Sequence, residues 1–192
     1  HVSGWPVEII CERDLSEMIL VPGGSFVMGR DDGPDTERPA HEVTLSPFYI
    51  DRFEITRDQY ERFAAAADHP QPGPEAYEVM TTGKHPVVGV MHADAMAYCD
   101  WAGKSLPTEA QWEFAARGPN GAMFPWGNDS AQAPPNRKHQ AIEPILTYLE
   151  DRSPFGAFEM GSNATEWCLD WYAADAYTYS TAQDPTGPRL AE

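Results

Sequence analysis

The sequence predicts one globular domain in which short strands come first and short amphipathic helices follow, joined by long irregular connections. Three observations carry this. Bulky side chains are plentiful, with six Trp, eight Tyr and eight Phe among 192 residues, enough to build a real core. Eighteen Pro and fifteen Gly are spread along the chain, which favours many turns over a helical bundle. The apolar pattern also changes, from alternation in the first third to helical spacing in the middle. The length fits a single domain, at roughly 100–200 residues each, and no low-complexity tract or repeat divides it.

Residues 1–17 read as a polar lead-in and residues 18–192 as the domain. Met18–Val21 and Ser25–Met28 are apolar runs separated by Pro22, Gly23 and Gly24, the pattern of a hairpin. Residues 30–39, RDDGPDTERP, have the turn formers and charges of an exposed loop. His41–Leu45 alternates as a half-buried strand does, and Phe48–Ile55 keeps strand-like character. Thr56 with Gln59 forms a capping box, each side chain satisfying an amide at a helix start; that helix runs to about Ala67 with Tyr60, Phe63, Ala64 and Ala67 on one face. Residues 68–83 read as a surface loop. Asp94–Ala102 is a second amphipathic segment, turning Ala95, Tyr98, Cys99 and Ala102 inward and stopping at Gly103. Thr108 and Gln111 repeat the capping box, and Trp112, Ala115 and Ala116 form the buried stripe of a helix ended by Gly118.

Thirty acidic against thirteen basic residues give a net charge of −17. Nucleic-acid phosphate would be repelled over most of the surface, whereas divalent cations and basic partners would be attracted. Neither an apolar run of spanning length nor a signal-peptide core is present. The compartment stays open between cytoplasm and export with a removed signal; low cysteine use fits a bacterial cytoplasm. Cys11, Cys99 and Cys168 lie far apart without a CxxC pair, which argues against a zinc knuckle and leaves three reduced thiols, or one disulfide and a spare thiol.

The densest chemistry lies at residues 163–172, NATEWCLDWY, where Asn163, Glu166 and Asp170 alternate with Trp167, Cys168, Trp171 and Tyr172. The oxygens suit hydrogen bonding or a hard cation, and the aromatic and Cys residues read as core. Together with FYIDRFEITRDQYERF at 48–63, AYCDWAGKSLPTEAQWEFAARG at 97–118, FPWGN at 124–128 and FGAFEMGSNATEWCLDWY at 155–172, it resembles the formylglycine-generating enzyme, or sulfatase-modifying factor, family. MILVPGGSFVMG from Met18 and the ERPAHEVTL segment at 37–45 match the same pattern, so the resemblance covers about Met18 to Tyr172.

The resemblance implies a compact α+β domain of low regular secondary structure, related to the C-type lectin fold and often stabilised by calcium. Some members oxidise a sulfatase cysteine to formylglycine with copper, some form half of non-haem iron sulfoxide synthases, and others are sensor or ligand-binding modules without catalysis. The copper site of the oxidases is a cysteine pair after an Arg-Gly-Gly-Ser-like strand. This sequence ends at Glu192 before such a segment and has no close pair, so copper is not expected in it. His41, His69, His85, His92 and His139 show no ligand spacing. His1 would bind copper through its amine and imidazole only as a true mature end.

Calcium is the metal the resemblance implies: Glu159, the carbonyls of Ser162 and Ala164, and Glu166 fall on the family's cation turn, and hard oxygen donors there suit its flexible shell. Glu159 and Ser162 depart from the usual Asn or Asp and Gly. A second site, through Asn136 and the Arg137 carbonyl, lacks its following Asp. Arg117 reads as a helix-end residue, residues 126–128 as a turn with an aromatic anchor, and Tyr172, Tyr177 and Tyr179 as candidates to line a groove. The reading that results is a binding, sensor or assembly module without a catalytic site of its own. Its alternatives are a formylglycine-generating oxidase whose two-Cys site lies beyond Glu192, and a structural subunit whose protein partner or oligomer covers the apolar surface of an incomplete domain.

Overall fold

In the computed structural model, which describes residues 4–134 and 141–188, five strands precede four helices: β1 (Glu8–Ile10), β2 (Glu17–Val21), β3 (Gly24–Met28), β4 (His41–Leu45), β5 (Phe48–Asp51), α1 (Arg57–Ala67), α2 (Pro74–Val79), α3 (His92–Ala102) and α4 (Glu109–Arg117). Residues 18–28 and 41–51 run antiparallel in a single register, with Met18 opposite Asp51, Val21 opposite Phe48, Gly24 opposite Leu45 and Met28 opposite His41. The ladder breaks at Pro22 and Pro47, which lack the N–H that pairing needs. The break leaves a β1-β2-β5 sheet and a β3-β4 sheet.

The Pro22–Gly24 stretch is therefore a crossing between sheets, not the hairpin its composition suggests. Gly23 has φ +73°, and a Cβ there would stand 2.4 Å from the Leu45 carbonyl oxygen, so the chain passes hard against the β4–β5 connection. The hairpin connection is the loop over residues 29–40, as long and polar as its sequence implies. β1 arises inside the segment read as a lead-in, and β5 ends at Asp51, short of Ile55.

Both capping boxes form as read. Thr56 starts α1 and Thr108 starts α4, with the Gln59 and Gln111 amides closing them. The loop at 68–83 contains α2, started by Pro74 at its first position. α3 begins two residues earlier than its apolar pattern, because the Asp94 carboxylate accepts the Met91 N–H at 2.8 Å and caps the turn.

Two apolar clusters result. One joins both sheets to α4, with Val21, Val43 and Phe114 fully buried and Phe114 tilted on Phe26 and Phe155 at 5.0 and 5.3 Å. The other packs α1 on α3 through Tyr60, Phe63, Ala64, Tyr98 and Ala102; Cys99 is half-buried beside it. A charged knot ties sheet to helices: Lys104 Nζ reaches Asp14 Oδ2 at 2.7 Å and Asp51 Oδ1 at 2.8 Å, and Tyr98 donates to Asp14 at 2.6 Å.

Candidate functional site

One helix splits its residues between core and cavity. In α4, Ala110, Phe114 and Ala115 are buried toward the sheet, while Glu109, Trp112, Glu113, Ala116 and Arg117 line a cavity of about 1210 Å³. Those five fall at i, i+3, i+4, i+7 and i+8, one face of the helix. Trp112, read from sequence as part of the buried stripe, stands half-buried on the cavity wall instead. The opposite walls come from residues 29–37, 121–128, 141–148 and 160–168, without regular structure except one 3-10 turn.

The turn over residues 159–166 forms part of that wall and is held by carboxylates. Glu159, 1% exposed, accepts backbone N–H groups from Leu146, Thr147 and Tyr148 at 3.0–3.1 Å. Asp151 accepts the Gly161 N–H at 2.9 Å and the Ser162 hydroxyl at 2.6 Å. Glu54 takes the Asn163 amide at 2.7 Å and the Ala164 N–H at 2.8 Å, and the Glu166 carboxylate accepts the Trp112 indole N–H. Of the four residues of the cation turn, Ser162, Ala164 and Glu166 line that wall while Glu159 is buried outside the lining, and the two Glu side chains hydrogen-bond to different elements. Among the described residues no three His, Cys, Asp or Glu side chains form a ready metal cage. The donors are nonetheless of the right kind: carboxylate oxygens keep lone pairs while accepting N–H bonds, and none of Glu54, Glu159 and Glu166 has a salt bridge among the described residues. Asn136, Arg137, His139 and His1 lie outside the described residues.

Glu54 and Asp151 were missed in the sequence. Glu54 had a signal, an acid between Phe53 and Ile55 at a strand end; Asp151 had none. Burial, with the like charges of Glu166 and Glu159, pushes the Glu54 carboxyl up to about 9. Glu166, on the cavity wall and with exposed surface, is raised to about 7 by burial of its carboxyl and by Asp151 as a like charge. Because Glu54 titrates higher folded than unfolded, its stability contribution is full below about pH 4.5 and is lost as pH rises toward 9. In chelator, the melting temperature should fall between about pH 5 and 9, and Glu54→Gln should flatten that slope. Equal slopes for the two proteins would contradict the assignment.

The remaining candidates fall into place locally. Arg117 closes the end of α4, donating to the Ala122 and Gly121 carbonyls at 2.8 and 3.1 Å and pairing with Glu113. Phe124 and Trp126 stack at 4.9 Å across the turn, where the Asn128 side chain accepts the Met123 N–H at 2.8 Å. Tyr177 and Tyr179 line a smaller hollow of about 220 Å³, and Tyr172 is exposed. Trp167 and Trp171, read as core, are 48% and 47% exposed. They flank His92 at 5.6 and 5.8 Å on an irregular segment that lies outside both apolar clusters. His69 and His92 are hydrogen-bonded to Asp94 and the Cys168 carbonyl, each at 3.0 Å. Cys11, Cys99 and Cys168 are free, and burial pushes the Cys99 and Cys168 thiols up to about 11 and about 12.

Fold and site together define a mixed α+β domain whose polar groups are carried by irregular turns around one helix face. The profile of the sulfatase-modifying factor enzyme 1-like domain matches residues 8–188, and the chain belongs to that family. It is 33% identical over 238 residues to the formylglycine-generating enzyme of Thermomonospora curvata, covering 89% of this chain and 78% of the enzyme. It is 34% identical over 194 residues to the serine/threonine-protein kinase Pkn1 of Chlamydia trachomatis, covering 91% of this chain but only 31% of the length of that kinase. The solved structure of PvdO from Pseudomonas aeruginosa superposes with a TM-score of 0.77 at 22% identity, over 99% of this chain and 84% of PvdO, a likeness of fold. No helix among the described residues is long and apolar enough to cross a membrane.

Proposed function

We propose that this domain is a binding, sensor or assembly module built on the formylglycine-generating-enzyme fold. The observation that carries the reading is the cavity beside α4, whose helix face is held rigid at one end by the Thr108 capping box and at the other by Arg117. A pre-formed concave wall with a few fixed polar groups is the usual form of a ligand site. The match to Pkn1, of which the chain spans a third or less, fits a module that serves a larger protein. The likeness to the Thermomonospora curvata enzyme favours a second reading, a copper-dependent oxidase of a sulfatase cysteine.

Calcium at the 159–166 turn belongs to the same proposal, as a structural ion taking Glu159, the Ser162 and Ala164 carbonyls, and Glu166. It would offset the crowding of carboxylates there. Two experiments test the pair of ideas. With copper and a Cys-containing peptide the chain should show no turnover; turnover would establish the oxidase instead. Chelation should lower the melting temperature, and Glu166→Ala should abolish the difference; a melting curve indifferent to chelator would rule the ion out.

A further inference from the structure

Among the described residues, the wall of the cavity beside α4 carries more acid than base. Arg30 pairs with Glu37 at 2.6 Å and Arg117 pairs with Glu113, so both arginines on the wall are committed. Among the described lining residues Asp32 and Glu109 remain in excess even with Glu166 assigned to the calcium turn. Glu109 accepts the neutral Tyr177 hydroxyl at 3.0 Å and borders both the large cavity and the smaller hollow. Acid on a convex surface would be a solvated face; here it lines a concave wall next to the Trp112 ring, one helical turn away.

The start of α4 could in principle favour an anion, through its free N–H groups. The chain already supplies those acceptors: Asp170 Oδ2 takes the Glu109 N–H at 2.8 Å, and Thr108 Oγ1 takes that of Gln111 at 3.2 Å. An incoming anion would meet carboxylates. A cation would meet Glu109, the Trp112 side chain on the same wall and the field of a chain carrying −17. Small-ligand pockets run to about 300–1,000 Å³, and about 1210 Å³ leaves ample room.

We infer that this cavity recognises a small cationic ligand with an apolar body, an amine or guanidine on an aromatic or aliphatic frame, its charge against Glu109 and its frame on Trp112. The inference rests on the binding-module reading. Calorimetry with tryptamine, tryptophol and indole-3-acetate tests it, because the three share one ring and differ in charge. Tryptamine should bind about tenfold more tightly than tryptophol, and indole-3-acetate more weakly than either. Added salt should weaken tryptamine alone. Glu109→Gln should remove the tryptamine advantage and leave tryptophol unchanged. Should that variant fail to fold, Asp32→Asn, on an exposed loop, should weaken tryptamine selectively. Equal binding of the three, binding of none, or equal losses for tryptamine and tryptophol would overturn the cation assignment. Any of these would leave the binding-module reading standing, since that reading falls on copper-dependent turnover.

Discussion

Replacing Lys104 with alanine should cost the fold about 3–5 kcal/mol, the penalty for stranding buried charge. Its side chain is 7% exposed and the Asp14 side chain 0%, and Nζ holds Asp14, Ser16 and both Asp51 oxygens within 2.6–3.0 Å. Removing it leaves two carboxylates facing each other without the ammonium. The signs show over which range this holds. Burial alone would raise Asp14, but bonds from Lys104, Tyr98 and Ser16 outweigh it and hold the group well below the usual carboxylate range. Its contribution is present above its unfolded value of 3.8 and is lost only in strong acid. Burial lowers and the two aspartates raise Lys104, whose net shift is upward, so its contribution fades only in strong alkali. Asp51 is raised by burial even beside Lys104, which is what restrains it. Without the ammonium both carboxylates would titrate higher, so the loss in Lys104→Ala should grow as pH rises and they ionise. Chemical denaturation at two pH values measures it, and a loss under about 1 kcal/mol would mean the knot is solvated.

Phe114→Ala should destabilise by about 3–5 kcal/mol, through lost burial and the cavity left behind. Phe114 is fully buried where α4 meets the β3–β4 sheet and touches aromatic rings from two other parts of the chain, Phe26 and Phe155. The effect should appear as a lower denaturation midpoint with an unchanged slope. It should also loosen the cavity wall, because Phe114 anchors the helix that carries Glu109 and Trp112. Phe114→Leu, closer in volume, should cost clearly less; equal losses would mean that ring packing is not what fixes α4.

Local chemistry explains why some elements were legible and others not. α1 and α4 announce themselves through Thr-x-x-Gln boxes and terminate where the pattern ends, at Asp68 and Gly118, because a cap is satisfied within four residues. β4 was legible from alternation over five residues. The Pro22–Gly24 crossing was not, since a turn composition says that the chain bends but not which strand it meets next. Pairing is a property of distant segments; Gly23 is explained only by Leu45 lying against it. The family was legible because several motifs recur in order along the chain, and residues 8–188 match it.

At the site the division is similar. The sequence marked Glu159 and Glu166 as oxygen donors on one turn, but Glu54 and Asp151 reach that turn from roughly 110 and 10 residues away. Exposure of Trp167 and Trp171 was also beyond sequence, because an aromatic side chain is core only if other elements cover it. By itself, then, the sequence determined the family, the charge, two capped helices and the chemical types available, all properties of neighbouring residues. The tertiary structure alone decided which face of α4 lines the cavity, which carboxylates crowd one another and that Lys104 joins Asp14 to Asp51. Those depend on long-range packing, which brings together groups that no local spacing relates.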